Sequence, residues 1–232
     1  MRISNKKRIE SLTTKVLQNA DKMIFYQEYK FYIFCELKSI IDENIVCLIL
    51  DLNQASICLT NHLLERSIKR ALISFYLQNT KFGEPDFVRL QQEAYSKFDN
   101  LVLEKSVDFA CKEKILTNDE GSLVKCWKNT YRNPFSHANI SKILPENASD
   151  IYFPGWGFDF RDSTTATKES PMPMIKVEIP MLLLAQTLQS DLAKDKAFEY
   201  FDNVFKLMIK IDKRYKEKFN IKFPIKMQAE NP

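Results

Sequence analysis

Apolar residues recur every three or four positions over most of the chain, which is the spacing that places them on one face of an α-helix. Residues 4–43 predict one long helix or two collinear helices. A second long helix is predicted over about 45–78, a third over 86–116, a fourth over 122–132 and a last one over 181–219. The pattern therefore predicts a protein built mainly from long helices.

Two stripes, each a series of apolar residues at helical spacing, provide most of the support for this prediction. The second helix has the stripe Leu64, Ile68, Ala71, Leu72 and Phe75. The last helix has the stripe Phe198, Phe201, Phe205, Met208 and Ile211. Asn44 or a neighbour is predicted to end the first helical stretch, and Asn118 or Asp119 is a plausible N-cap of the fourth helix. The aromatic residues from Phe25 to Phe34 are interpreted as core packing rather than as a surface that stacks on bases.

The segment from about 145 to 180 differs from the rest because it is rich in proline and contains Gly155 and Gly157. Residues 151–160 predict a small hairpin or an aromatic-rich loop, in which Trp156 is interpreted as an anchor of the loop. Residues 174–180 predict a short strand. The segment is too short to have a core of its own, so it is interpreted as an insertion in a single domain that covers residues 1–232.

Composition supports the helical prediction and excludes several classes of protein. The chain has 232 residues with only 4 glycines, too few for the many tight hairpins of an all-β fold, so the fold class is predicted to be all-α. A net charge of +4 permits a polyanionic partner without implying one. No secretory signal opens the chain, and its longest apolar run, residues 45–50, is too short to cross a bilayer. These features predict a cytoplasmic protein that does not bind membranes.

Cysteine and histidine usage argues against a metal site or a disulfide framework. The 5 cysteines are odd in number and contain no CxxC pair, so they are interpreted as reduced core residues. With only two histidines, His62 and His137, a zinc site is improbable, and no metal or cofactor is expected. His62 is interpreted as a partly buried structural residue. No phosphate-binding glycine loop and no HExxH or GxSxG sequence occurs.

The remaining candidate for a catalytic site is the segment Arg132-Asn133-Pro134-Phe135-Ser136-His137. On a regular helix, side chains five residues apart point about 140° apart, so Arg132 and His137 converge only if the helix ends between them. Pro134 is predicted to cause that end, because it disfavours the α conformation at Asn133. A guanidinium can hold a phosphate and an imidazole can move protons near neutral pH. Together they could support attack of an RNA 2′-hydroxyl on the adjacent phosphate without a metal.

This segment resembles the Rx4-6H motif of the HEPN superfamily (higher eukaryotes and prokaryotes nucleotide-binding). Arg132 and His137 match its two defining positions, and Asn133 matches the polar residue that commonly follows the arginine. The stretch 63–72, which contains Glu65, resembles the earlier helix of such domains, which often carries an acidic residue. The resemblance covers roughly residues 45–80 and 120–140.

The resemblance implies an up-and-down helical bundle that forms a homodimer with two motifs facing each other across one cleft. Many members are metal-independent endoribonucleases in toxin–antitoxin, phage-abortive or other defence systems. Arg132 would then stabilise the phosphate in the transition state, His137 would act as acid or base, and Asn133 would orient one of them. Glu65 and Ser136 would be supporting residues. RNA is the expected partner, with a protein partner such as an antitoxin also possible.

Two other interpretations stay open. Some family members lack activity and serve as binding modules for RNA, nucleotides or proteins. In a third interpretation the chain is a plain helical scaffold in which Arg132 and Asn133 hold the end of a helix. Tyr131 is expected to pack in the core under any of the three.

Overall fold

The computed structural model describes residues 5–78, 80, 83–136 and 181–221, and it is all-α as the composition predicts. Short 3₁₀ turns cover Asp21–Met23 and Cys35–Leu37, and a π-helical turn covers Lys128–Arg132. The helices are α1 (Asn5–Ala20), α2 (Ile24–Glu28), α3 (Lys38–Ile49), α4 (Asn53–Leu77), α5 (Phe87–Phe98), α6 (Leu103–Lys112), α7 (Asn118–Trp127), α8 (Asn133–Ser136) and α9 (Met181–Lys218). The predicted insertion, its hairpin and its strand lie outside the described residues.

The two predicted stripes form the centre of the molecule, where α4 packs along α9. All five residues of the α4 stripe are buried. Four of the five α9 stripe residues are fully buried, whereas Phe198 at the edge is 44% exposed and contacts the Tyr26 ring edge-on at 6.1 Å. Tyr200 adds a buried hydroxyl that donates to Asn61 Oδ1 on α4 at 2.9 Å. Burial of these apolar faces is the main source of stability in such a bundle.

The prediction of one or two collinear helices over residues 4–43 was wrong, because the chain leaves the helical path between α2 and the 3₁₀ turn before α3. Asp212 on α9 explains the break: its Oδ1 accepts the backbone N–H groups of Tyr32 and Ile33, each at 2.9 Å. Asp212 is 0% exposed, and its Oδ2 lies 2.7 Å from Lys216 Nζ. Backbone groups that a helix would satisfy are thus satisfied by a distant side chain.

Asn44 does not end a helix, contrary to the prediction, but lies buried inside α3. Its side chain donates to Thr60 Oγ1 at 2.8 Å and accepts from Ser56 Oγ at 2.6 Å, so it ties α3 to α4. The break falls later, where Asp51 adopts a positive φ of 56°. The predicted helix over 86–116 is likewise two helices, α5 and α6, separated at residues 99–102.

The five cysteines are free thiols, but the prediction that they are core residues was wrong. Cys35, Cys58 and Cys126 are exposed, whereas Cys47 and Cys111 are half-buried and Cys111 packs against the core. Their apolar sequence neighbours misled the prediction, because adjacent residues on a helix point in different directions.

The start of α7 is fixed by a capping box on Thr117, one residue before the predicted N-caps. The Thr117 hydroxyl accepts the Glu120 N–H at 3.2 Å, and the Glu120 carboxylate accepts the Thr117 N–H at 3.0 Å. The same carboxylate receives both terminal nitrogens of Arg214 on α9, at 2.8 and 2.7 Å. Burial favours the neutral acid, but the bonds from Arg214 and Thr117 outweigh it, and the pKa of Glu120 is lowered.

We predict that Glu120→Gln removes stability that depends on pH. A lowered folded-state pKa means that the Glu120 carboxylate stabilises the fold above its ordinary pKa of 4.5 and loses this effect as pH falls through the folded-state value. Urea unfolding at pH 7 should therefore show a loss of about 2 kcal/mol in the variant, and the difference should shrink below pH 4.5. Glu217→Gln, at an exposed site, is the matched control. An equal difference at pH 7 and pH 3.5 would contradict the assignment.

Candidate functional site

Pro134 does not end the helix between Arg132 and the following residues, contrary to the prediction. Asn133 has φ −63° and ψ −45°, which is helical, and α8 continues through Ser136. A proline lacks the N–H that an α-helix would direct at the carbonyl of Thr130, and its ring crowds that carbonyl. The chain widens into the π-helical turn just before it, in which Asn133 N–H donates to Lys128 O five residues back. Such π turns often occur at functional sites.

The π-helical turn places Arg132 against α4, next to Glu65. Arg132 Nη2 donates to Glu65 Oε2 at 3.0 Å, and Lys69 Nζ lies 3.2 Å from Glu65 Oε1. The side chains of Arg132 and Glu65 are 26% and 24% exposed, so the pair is half-buried. Among the described residues Glu65 is the one hydrogen-bond partner of the guanidinium, and it engages a single terminal nitrogen of a group that carries five N–H donors. The other donors have no partner among the described residues.

Tyr131 holds the π-helical turn against the core, as expected. Its ring stacks on Tyr200 with centroids 4.1 Å apart, and Trp127 meets Tyr200 edge-on at 6.0 Å. Burial raises the pKa of the Tyr200 hydroxyl, and the nearby Tyr131 raises it further. The positive charge of Arg132 acts in the opposite direction and lowers it. Tyr131, the residue before Arg132, is thus fixed by packing against α9.

The other predicted site residues are placed as follows. Asn133 Nδ2 donates to Asn129 Oδ1 at 3.1 Å, one turn back on the outer surface of the π-helical turn. Ser136 closes α8. His137 lies outside the described residues, so its prediction stands on the sequence. His62 is exposed on α4 rather than partly buried, because it points away from the stripe that faces α9.

Two features of the site were not anticipated from the sequence. Tyr200 on α9 stacks on Tyr131 of the π-helical turn and donates to Asn61 on α4, and no local pattern links these residues to Arg132. Arg66, one residue after Glu65, is exposed and makes no hydrogen bond or ion pair with any described residue. A helical projection of residues 62–73 would have shown that Arg66 and Lys69 share a face with His62.

Other kinds of site find no support in the described part of the chain. No group of three or more potential metal ligands occurs there. No helix in that part is long and apolar enough to cross a membrane.

Comparison of the chain with protein-family models, with curated proteins and with solved structures finds no match in any of the three.

We predict that Glu65 and Arg132 are energetically coupled. A half-buried ion pair of this kind should contribute about 1 kcal/mol, between the values of exposed and fully buried pairs. A double-mutant cycle of Glu65→Ala and Arg132→Ala, measured by urea unfolding, isolates this term from the Glu65–Lys69 contact. The same cycle on the exposed pair Arg89 and Glu93 is the control. A coupling energy no larger than in the control would contradict the pairing.

Proposed function

We propose that this protein is a metal-independent endoribonuclease that cleaves RNA at a site containing Arg132 and His137. The observation that carries the proposal is the contact between Arg132 and Glu65. These residues are 67 positions apart, and they belong to the two segments that resemble the HEPN superfamily. An arginine in a π-helical turn that is held by one nitrogen, with its other donors unengaged by the described residues, suits the binding of a phosphate.

The proposed reaction forms a bond between the RNA 2′-oxygen and the adjacent phosphorus while the bond from phosphorus to the 5′-oxygen breaks. The 2′-hydroxyl loses a proton, and the departing 5′-oxygen gains one. His137 is the proposed acid or base for these transfers. Arg132 is the proposed counter-charge to the phosphate oxygens, which gain negative charge in the transition state. Asn133 and Ser136 are proposed to assist by hydrogen bonding.

A homodimer is part of the proposal because each chain contributes a single Arg132 and a single His137. Two chains related by a two-fold axis would place both pairs around one cleft. A role in a toxin–antitoxin or phage-defence system, with an antitoxin or another protein as regulator, follows from the family resemblance.

The plain helical scaffold is the second candidate, and one observation favours it. Arg132 already has a carboxylate partner, and the pair is half-buried, as is common for residues that fasten a helix end. In that case Arg132 and Asn133 would hold the end of a helix and would take no part in RNA cleavage.

We predict that the wild-type protein cleaves single-stranded RNA in EDTA and that Arg132→Ala and His137→Ala each reduce the rate by at least about 100-fold. Arg132→Lys should also fail, because an ammonium group cannot replace the planar fork. Cleavage of a fluorescent oligonucleotide provides the rate, and thermal melting shows whether each variant is folded.

Arg89→Ala is the matched control, since it removes an exposed arginine from α5, and it should retain the wild-type rate. A requirement for Mg²⁺ or an active His137→Ala variant would exclude the proposed mechanism. Folded wild-type protein that binds RNA without cleaving it would favour the binding module. Unfolding of both alanine variants would show that the motif fastens the helix end.

A further inference from the structure

A cavity of about 250 Å³ lies on the outer face of α4, adjacent to the Glu65–Arg132 pair. Arg66, Lys69 and Arg70 line it from one turn of α4. The buried side chain of Ile73 forms an apolar part of its wall, and Tyr95 from α5 lies across from α4. Glu36 and Asp99 also line it, so the cavity combines three cationic residues and an aromatic ring with two acidic residues.

The three cations of the cavity differ in how far they are already neutralised. Arg70 contacts Glu36 Oε1 at 3.3 Å and the Ile33 carbonyl at 3.2 Å, both through Nε. Lys69 shares Glu65 with Arg132 and donates to the Asp99 carbonyl oxygen at 2.7 Å. Arg66 is the cation without an ion pair among the described residues, so its whole fork is available to an incoming anion.

Glu65 connects the cavity to the candidate cleavage site. One oxygen of its carboxylate is 3.2 Å from Lys69 Nζ in the cavity, and the other is 3.0 Å from Arg132 Nη2. The cavity and Arg132 are thus separated by a single carboxylate. A ligand with regularly spaced phosphates could contact Arg132 and the cavity at the same time.

Tyr95 favours a ligand that has a flat base as well as a phosphate. Tyr95 is 39% exposed although it lines the cavity, so it is not fully covered by its neighbours. An arginine fork beside an aromatic ring provides one group for a phosphate and one for a flat base. An acidic peptide would use the arginine but would gain little from the ring.

We propose that this cavity holds a nucleotide of single-stranded RNA next to the one cleaved, with its phosphate at Arg66 and its base on Tyr95. The assignment rests on the proposed function, because it treats the cavity as a subsite of the RNA site that contains Arg132 and His137. Arg66 and Tyr95 bind the strand in this assignment, and they take no part in bond breaking.

Binding of a fully 2′-O-methylated single-stranded oligonucleotide, followed by fluorescence anisotropy, tests the subsite separately from cleavage, because the blocked 2′-hydroxyl cannot react. We expect Arg66→Ala to weaken binding by at least about 5-fold and to lower the slope of log K against log salt by about 0.7. Tyr95→Ala should weaken binding by about 5-fold or more, and Tyr95→Phe should retain it. Arg89→Ala should bind as the wild type does.

The possible outcomes separate the subsite from the proposed nuclease. Weaker binding by Arg66→Ala and Tyr95→Ala supports the subsite even if unmodified RNA is never cleaved. Wild-type binding by either variant overturns the subsite, and it leaves the nuclease standing if wild-type protein cleaves RNA in EDTA. Absence of oligonucleotide binding by the wild-type protein also overturns the subsite. Equal competition by a polyglutamate peptide would overturn the assignment to RNA, because it would show a site for acidic protein.

Discussion

Burial of one face of α4 against α9 is the constraint on which the rest of the structure depends. Leu64, Ile68 and Leu72 are at most 1% exposed, and they fix the rotation of this 25-residue helix about its axis. Once that face is buried, the opposite face must point outward, and it carries Glu65, Arg66 and the cations one turn later. The charged groups therefore stand on a rigid support, which is what a binding or catalytic site needs for defined geometry.

The parts of the fold that a helical period determines could be predicted from the sequence. The helix over 181–219 is α9 with nearly the same bounds, and the α4 stripe is buried as expected. The breaks in the first half of the chain could not be predicted, because Asp212, about 180 residues away, supplies the acceptor for the backbone at Tyr32 and Ile33. A local pattern contains no information about a partner so distant.

Part of the candidate site could also be predicted from helical spacing. Spacing alone predicts the contact between Glu65 and Lys69, and the family resemblance drew attention to Glu65 and Arg132 together. The general rule that a residue before proline avoids the helix failed at Asn133, which has helical φ and ψ at the end of the π-helical turn. The cavity beside Arg66 needs Tyr95 from α5 and Ile73 from α4, so it exists only in the folded chain.

The chemical identity of the RNA ends is the most direct test of the central claim that Arg132 and His137 cleave RNA through its 2′-hydroxyl. Mass spectrometry of an oligonucleotide cut by the wild-type protein in EDTA would show both new ends. Attack by the 2′-oxygen predicts a 2′,3′-cyclic phosphate, or the phosphate left when it opens, together with a 5′-hydroxyl. A 3′-hydroxyl together with a 5′-phosphate would contradict the account, because that product requires the other phosphorus–oxygen bond to break.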